Sequence, residues 1–307
     1  MEEQFLKKLK KILNSEQIKQ REPMSEHTTL HIGGVADYLV LPSNIQEIRR
    51  VLLLCKDNDM PYYIIGNGSN LLVSDLGYQG LILKLGNQFS DIRVNDDGIV
   101  RAQAGVLMSK LASVVAKHEF AGFEFASGIP GTLGGAVTMN AGAYGGEMKD
   151  CIISATVLNT EGEIDNLDNH QLQLGYRSSI IQKQNLCVLE ADMKFIRGDR
   201  QKILDKTHKL NNLRRDKQPL DKYSAGSTFK RPEGYFAGKL IHDAGLKGYQ
   251  IGGAAVSDKH CGFLINKDNA TAMDFMKLIG EVIRIVEAKY GVRLEPEVKF
   301  IGTFDTD

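Results

Sequence analysis

The chain lacks the features that mark a membrane, metal or polyanion-binding protein. Its 38 Lys and Arg residues are balanced by 38 Asp and Glu, so no net field argues for nucleic acid or an anionic lipid surface as partner. No apolar run approaches the roughly 20 residues that a helix needs to span a bilayer. The N-terminal stretch MEEQFLKKLKKILNSEQIKQ lacks the apolar core and cleavage site of a secretory signal. It predicts an amphipathic helix, with Phe5, Leu6, Leu9, Ile12 and Leu13 on one face and solvated lysines opposite. Cysteines are few and scattered, at 55, 151, 187 and 261, with no C-x-x-C pair and no His/Cys cluster of zinc spacing. Nor do the histidines pair in a way that suggests a metal, so none is expected. Cys55, Cys151 and Cys187 sit in apolar segments, which predicts buried thiols and fits a reducing cytoplasm.

The periodicity that is present predicts an α+β protein. Strands are expected over 36–41, 61–65, 80–85, 99–104, 151–159 and 186–195, with helices over about 107–118, 199–216 and 271–290. A capping box of Ser43 and Gln46 is expected to open a further helix that turns Ile45, Ile48, Val51, Leu52 and Cys55 inward. This makes a β-α-β unit with the strands on either side. Between 80 and 195 strands outnumber helices, which argues against a doubly wound layer. A final strand is expected to carry Glu295, Glu297 and Lys299. There is no internal repeat or low-complexity linker, and the one break is near 200–220, at Lys217-Gln218-Pro219.

Glycine is concentrated where chemistry would need it. From Gly122 to Gly146 the chain reads GFEFASGIPGTLGGAVTMNAGAYGG, with seven glycines between 128 and 146 and almost no charge. Such a run lets backbone amides approach a large cofactor and hold its anionic groups; tight turns and close helix–strand packing would use the same residues. Its G-x-x-G-x-x-G spacing excludes the G-x-G-x-x-G dinucleotide fingerprint. A second cluster, Gly66-Asn67-Gly68-Ser69-Asn70, ends a strand and offers successive N–H donors, a hydroxyl and two carboxamides suited to a pyrophosphate. An ordinary turn would use the same residues.

In order along the chain, T-x-x-I-G-G (29–34), GNGSN, ASGIPGTLGGAVTMNAGAYGG, YRSSI, AGSTFKRP, IGGAAVSDKHCGFLIN and E-V-x-F-I-G (297–302) resemble the UDP-N-acetylenolpyruvoylglucosamine reductase family, in its second, shorter class. The resemblance implies a two-part FAD-binding module of the vanillyl-alcohol-oxidase type over 1–200, with α+β subdomains of about 1–75 and 76–200. A smaller α+β substrate domain would follow over 201–290, and a C-terminal strand within 291–307 would rejoin the first module. It implies non-covalent FAD held by Gly66, Asn67, Gly68, Ser69 and Asn70 at the pyrophosphate. Along the flavin it implies Ser127, Gly128, Ile129, Pro130, Gly131, Thr132, Gly134, Gly135, Asn140, Ala141, Gly142 and Ala143.

The reaction implied is reduction of the enolpyruvyl ether of UDP-N-acetylglucosamine to UDP-N-acetylmuramate, for peptidoglycan synthesis, cell shape and division. NADPH is the implied co-substrate, with hydride delivered to C3 and a proton to C2. Ser227 would supply the proton, Arg177 would pair with the substrate carboxylate, and Glu297 would assist the enolate. Tyr176, Lys217 and Lys230 are implied substrate contacts. Spacing alone does not choose between Glu295 and Glu297, two residues apart; the motif chooses Glu297. A cytoplasmic monomer is implied. Two positions depart from the family pattern: His31, where Lys or Arg is usual, and Ser127, often cysteine. A different FAD oxidoreductase on the same fold, or a catalytically silent flavin-binding relative, are the alternatives.

Overall fold

The computed structural model of the chain describes residues 2–304. They gather into two compact units whose segments alternate along the sequence. The first comprises Met1–Gln20, Tyr38–Asn67 and Gly80–Leu213, and the second Arg21–Asp37, Gly68–Gln79 and Arg214–Asp307.

In the first unit the apolar face of the N-terminal helix, Glu2–Leu9, is consumed by the core. Phe5, Leu9 and Leu13 are buried in one cluster with Ile48, Val51, Leu52 and Cys55 of the helix Ile45–Asp57. That helix is capped one residue later than the Ser43/Gln46 pattern suggests. Asn44 is the N-cap, its Oδ1 accepting the Glu47 N–H at 2.9 Å, while the Glu47 carboxylate accepts from the Ser43 N–H and hydroxyl. Both boxes have the required spacing, but Glu47 brings a charge that Gln46 cannot. Burial raises its carboxyl, yet the bonds from Ser43 and Gln17 outweigh burial and hold it below its ordinary value.

The β-α-β unit is present with one strand inserted. The sheet order is Ile18–Pro23, Val35–Val40, Tyr78–Lys84, Tyr62–Ile65, so Tyr78–Lys84 separates the two strands that flank the helix. Beside it stands a five-stranded antiparallel sheet, ordered Ile164–Asp168, Ile152–Leu158, Cys187–Lys194, Ile99–Gln103, Ile92–Val94. All four cysteines are buried and unpaired. Burial pushes the thiols of Cys55, Cys151 and Cys187 up to about 12. Among the described residues no helix is long and apolar enough to cross a membrane.

The second unit is a four-stranded antiparallel sheet, ordered Tyr223–Ser227, Phe263–Asn266, Ala254–Val256, Gln250–Ile251. Against it pack the helices Ala237–Asp243 and Ala272–Tyr290, sharing a core that includes Leu240, Ile241, Leu264, Phe275, Leu278 and Val282. The long helix begins at a capping box of Thr271 and Asp274. Its first two N–H groups go to a residue far away in sequence, Asp75, at 2.8 Å from Ala272 and 3.1 Å from Met273. A carboxylate there satisfies orphan donors and faces the positive end of the helix dipole. Gly291, with φ +68°, closes the other end.

Thr271→Ala is expected to cost about 1 kcal/mol, measured as a shift in denaturation midpoint. No shift would mean that Asp75 alone satisfies this helix end. The expected C-terminal strand is shorter than the sequence suggests. Only Lys299–Ile301 is a strand, parallel to Leu71–Val73. Glu295 and Glu297 precede it and flank Pro296, which has no N–H to offer a ladder.

Candidate active site

In the first unit the two glycine clusters meet. The Asn67 carboxamide donates to the Pro130 carbonyl at 2.6 Å, and a Cβ on Gly66 would lie 2.0 Å from the Thr132 Oγ1. Several glycines are therefore required by packing, whatever they also bind. A Cβ on Gly134 would come within 2.9 Å of the Ala104 side chain, and one on Gly146 within 2.5 Å of the Phe125 ring. A Cβ on Gly135, by contrast, would meet only the Thr132 Oγ1 at 3.8 Å.

The backbone donors here are available. Among the described residues, none accepts a hydrogen bond from the N–H of Gly66, Asn67, Gly128, Gly131, Thr132 or Gly135. Backbone amides that no described residue accepts suit an anionic or carbonyl-rich ligand, so this part of the chain fits a flavin nucleotide.

The loop that leads into the glycine run at 128–146 is anchored by polar contacts with no sequence signature. Glu124, buried, accepts from the Gly122 N–H at 3.1 Å and from Lys206 at 3.0 Å. Burial raises its carboxyl, but those bonds outweigh it and lower the value. The Ser127 hydroxyl is bonded to the Glu124 carbonyl at 3.0 Å and to Asn211 Oδ1 at 2.9 Å. Asn140 is fully buried at φ +43°, and its side chain is turned into the protein. It donates to Glu147 and to the Gly175 carbonyl, and accepts from the Lys149 N–H.

Gly175 opens the turn that carries Tyr176 and Arg177. The turn closes on itself through Gly175 N–H to Ser178 O at 3.0 Å and the reciprocal bond at 3.2 Å. Arg177 sits at φ +52°, a left-handed backbone that a side-chain-bearing residue rarely adopts. Its guanidinium carbon lies 5.1 Å from the centre of the exposed Tyr176 ring.

In the second unit Ser227, Glu297 and the end of the Gly66–Asn70 cluster come together. The Glu297 N–H donates to the Thr228 carbonyl at 2.8 Å, and the Asn70 carboxamide donates to the Glu297 carbonyl at 3.2 Å. Ser227 follows a bulge: Ser224 faces Ile265 but Ser227 faces Phe263, so an extra residue is accommodated at Ala225-Gly226, with Gly226 at φ +75°. A bulge re-aims the side chain beside it. Ser227 is exposed, while its neighbour Thr228 is buried and accepts the Leu264 N–H.

Glu295 and Glu297, equivalent by spacing, differ here: Glu295 is exposed and ion-paired with Lys230, and Glu297 is half-buried. Lys230 is thus already neutralised. Lys217 ends the helix Arg200–Lys217 and is exposed. Gly68, Ser69 and Asn70 also have N–H groups that no described residue accepts. His31, at φ +54°, lies with its ring centre 4.0 Å from that of Tyr223.

Residues 36–168 match the family model described as FAD binding domain, and residues 218–301 match the one described as UDP-N-acetylenolpyruvoylglucosamine reductase, C-terminal domain. The chain is 52% identical to the UDP-N-acetylenolpyruvoylglucosamine reductase of Lachnoclostridium phytofermentans, over 97% of each chain. It belongs to the UDP-N-acetylenolpyruvoylglucosamine reductase family. The solved reductase from Thermus caldophilus superimposes with a TM-score of 0.79 at 31% identity, covering 93% of this chain and all of that one. A 4-ethylphenol oxidase from Gulosibacter chungangensis gives a TM-score of 0.50 at 14% identity, over 63% of this chain and 42% of its own, and shares the fold alone. Within the reductase family frame, the FAD-binding match contains Gly66–Asn70 and 127–143, and the C-terminal match contains Ser227, Lys230 and Glu297. Arg177 lies between the two matches.

Proposed function

We propose that this reductase-family member reduces the enolpyruvyl ether of UDP-N-acetylglucosamine to UDP-N-acetylmuramate for peptidoglycan synthesis, using NADPH, as a cytoplasmic monomer. The observation that carries the mechanism is the approach of the Glu297 backbone to the residue beside Ser227. Two residues 70 apart, each weak evidence alone, are joined through the Glu297 N–H bond to the carbonyl next to Ser227.

FAD, when bound, would supply the hydride, drawn from the nicotinamide, that C3 of the vinyl group receives. The amides of Gly66–Asn70 would hold its pyrophosphate, and those of Gly128, Gly131, Thr132 and Gly135 would hold the flavin end. Ile129, Pro130, Gly134, Ala141, Gly142 and Ala143 line the same segment. Ser127 and Asn140 contribute through the loop they anchor, their side chains being bonded to protein.

The Ser227 Oγ holds the proton that C2 receives. A hydroxyl is a poor acid in water, but carbon bearing developing negative charge is a strong enough base for a positioned one. Arg177 pairs with the substrate carboxylate, onto which the charge of the enolate spreads. Glu297 orders the same end of the intermediate. Tyr176 and Lys217 contact the substrate. Lys230 acts through its pair with Glu295.

The test is anaerobic: NADPH is added to the flavin-loaded protein, then the enolpyruvyl sugar, and flavin absorbance is followed. Bleaching by NADPH and rapid return of the oxidised band on adding the sugar are expected. Bleaching without return would leave a flavin oxidoreductase with another substrate.

A further inference from the structure

Arg177 holds a backbone conformation that its own residue type disfavours, and side chains from neighbouring segments fasten the turn around it. A left-handed φ at a non-glycine residue persists when its surroundings over-determine it. Here the surroundings are the end of the helix Leu133–Thr138 and the residues that follow it. The Gln182 carboxamide donates to the Arg177 carbonyl at 3.2 Å and to the Thr138 carbonyl at 2.8 Å. The Ser179 hydroxyl, fully buried, donates to the same Thr138 carbonyl at 2.6 Å. On the other side of the turn, Asn140 donates to the Gly175 carbonyl at 3.1 Å and is itself fixed by Glu147 and the Lys149 N–H.

We propose that Gln182, with Asn140, is a positioning residue for Arg177: it ties the arginine turn to the end of the flavin-segment helix and so sets the direction in which the guanidinium is presented. The inference rests on reading Arg177 as the partner of the substrate carboxylate. Its chemistry is simple. Thr138 is the last residue of a helix, so its carbonyl has no acceptor role inside that helix. One carboxamide with two N–H groups bridges it to the Arg177 carbonyl. Without that bridge only the Gly175–Ser178 backbone bonds hold the turn, and the Arg177 peptide relaxes toward negative φ, which swings the Cα–Cβ bond and carries the guanidinium at the end of a long side chain away from its place. A misplacement of about 1 Å can cost on the order of 100-fold in rate. Nothing in the sequence marks Gln182, which lies in the four-residue helix Ile180–Lys183 among other amides.

The experiment is a double-mutant cycle on the flavin-loaded enzyme. Wild type, Gln182→Leu, Arg177→Ala and the double variant are reduced anaerobically, and the rate of flavin reoxidation is measured across a range of enolpyruvyl sugar concentrations. Flavin content and melting temperature are recorded alongside. Leucine keeps the volume of Gln182 and removes both donors. Q182L is expected to slow reoxidation by about 10- to 100-fold with flavin content unchanged, and to add less than about twofold in the R177A background, as coupled residues do.

Q182K, whose ammonium can donate to both carbonyls, is expected to recover to within about threefold of wild type by the same reasoning. It also serves if Q182L does not fold. Reoxidation by Q182L within about threefold of wild type while R177A is disabled would overturn the positioning role. So would a full, additive Q182L loss in the R177A background, or a Q182K enzyme as slow as Q182L. R177A reoxidising at the wild-type rate would overturn the reading of Arg177 and this proposal with it.

Discussion

Ser227→Ala is expected to leave flavin reduction by NADPH nearly intact and to slow flavin reoxidation by the enolpyruvyl sugar by about 10²- to 10⁴-fold, the usual worth of a positioned general acid. The separation follows from where Ser227 stands. It is exposed at the end of a strand, past a bulge whose geometry is set by Gly226 and by the buried Ala225 and Thr228. Alanine keeps that backbone and removes only the hydroxyl. The Thr228 contacts, through its N–H to the Gly262 carbonyl and its Oγ1 to the Leu264 N–H, are untouched. Stability should therefore change little, and the loss belongs to the proton. Stopped-flow traces of the two half-reactions decide it. Equal loss in both would remove Ser227 from the acid role.

Gly68→Ala should be the most damaging single methyl in the loop Gly66–Asn70. Gly68 has φ +64°, and a Cβ there would lie 2.0 Å from the His27 carbonyl oxygen and 2.9 Å from the Thr28 Cα, both backbone. The left-handed conformation costs alanine roughly 1–2 kcal/mol. Forcing backbone apart adds about 1–3 kcal/mol. A total on the order of 2–5 kcal/mol corresponds to a fall of roughly 5–15 °C in the melting temperature of the flavin-free protein. Flavin affinity should drop as well, since the loop must move. Gly245→Ala is the control. It has φ +83° but nothing within 4 Å of its Cβ position, so only the conformational cost applies, about 1–2 kcal/mol. Equal melting temperatures for the two variants would show that the approach of His27 is not what requires glycine at 68.

The parts of this protein that could be read from residue order are those fixed by short spacings. The long C-terminal helix, expected over about 271–290 and found at Ala272–Tyr290, follows from its periodicity. The inward face of Ile45–Asp57 and the burial of its cysteine follow from periodicity. The same local rules placed the cap of that helix one residue early, at Ser43/Gln46, although Asn44/Glu47 has equal spacing. The charge on Glu47 and its bonds to Ser43 and Gln17 decide between them.

The tandem glycines were legible as close approach, yet not as approach to what. Gly66 is closed in by Thr132 and Gly68 by His27, and both have N–H groups that no described residue accepts. Packing and ligand binding make the same demand on sequence.

What the amino-acid order determined by itself was the family and the α+β elements, because each motif is a local pattern; it also singled out the residues proposed to carry chemistry. Tertiary structure alone decided which of those residues share surroundings. It paired Lys230 with Glu295 and left Glu297 half-buried, although the two glutamates alternate identically. It brought Asn70 to Glu297 and Asp75 to the start of Ala272–Tyr290, across separations of 227 and 197 residues. It set Arg177 in a left-handed turn fastened by Gln182 and Asn140. Such contacts depend on where loops close, and loop closure depends on the whole core, so no spacing along the chain encodes them.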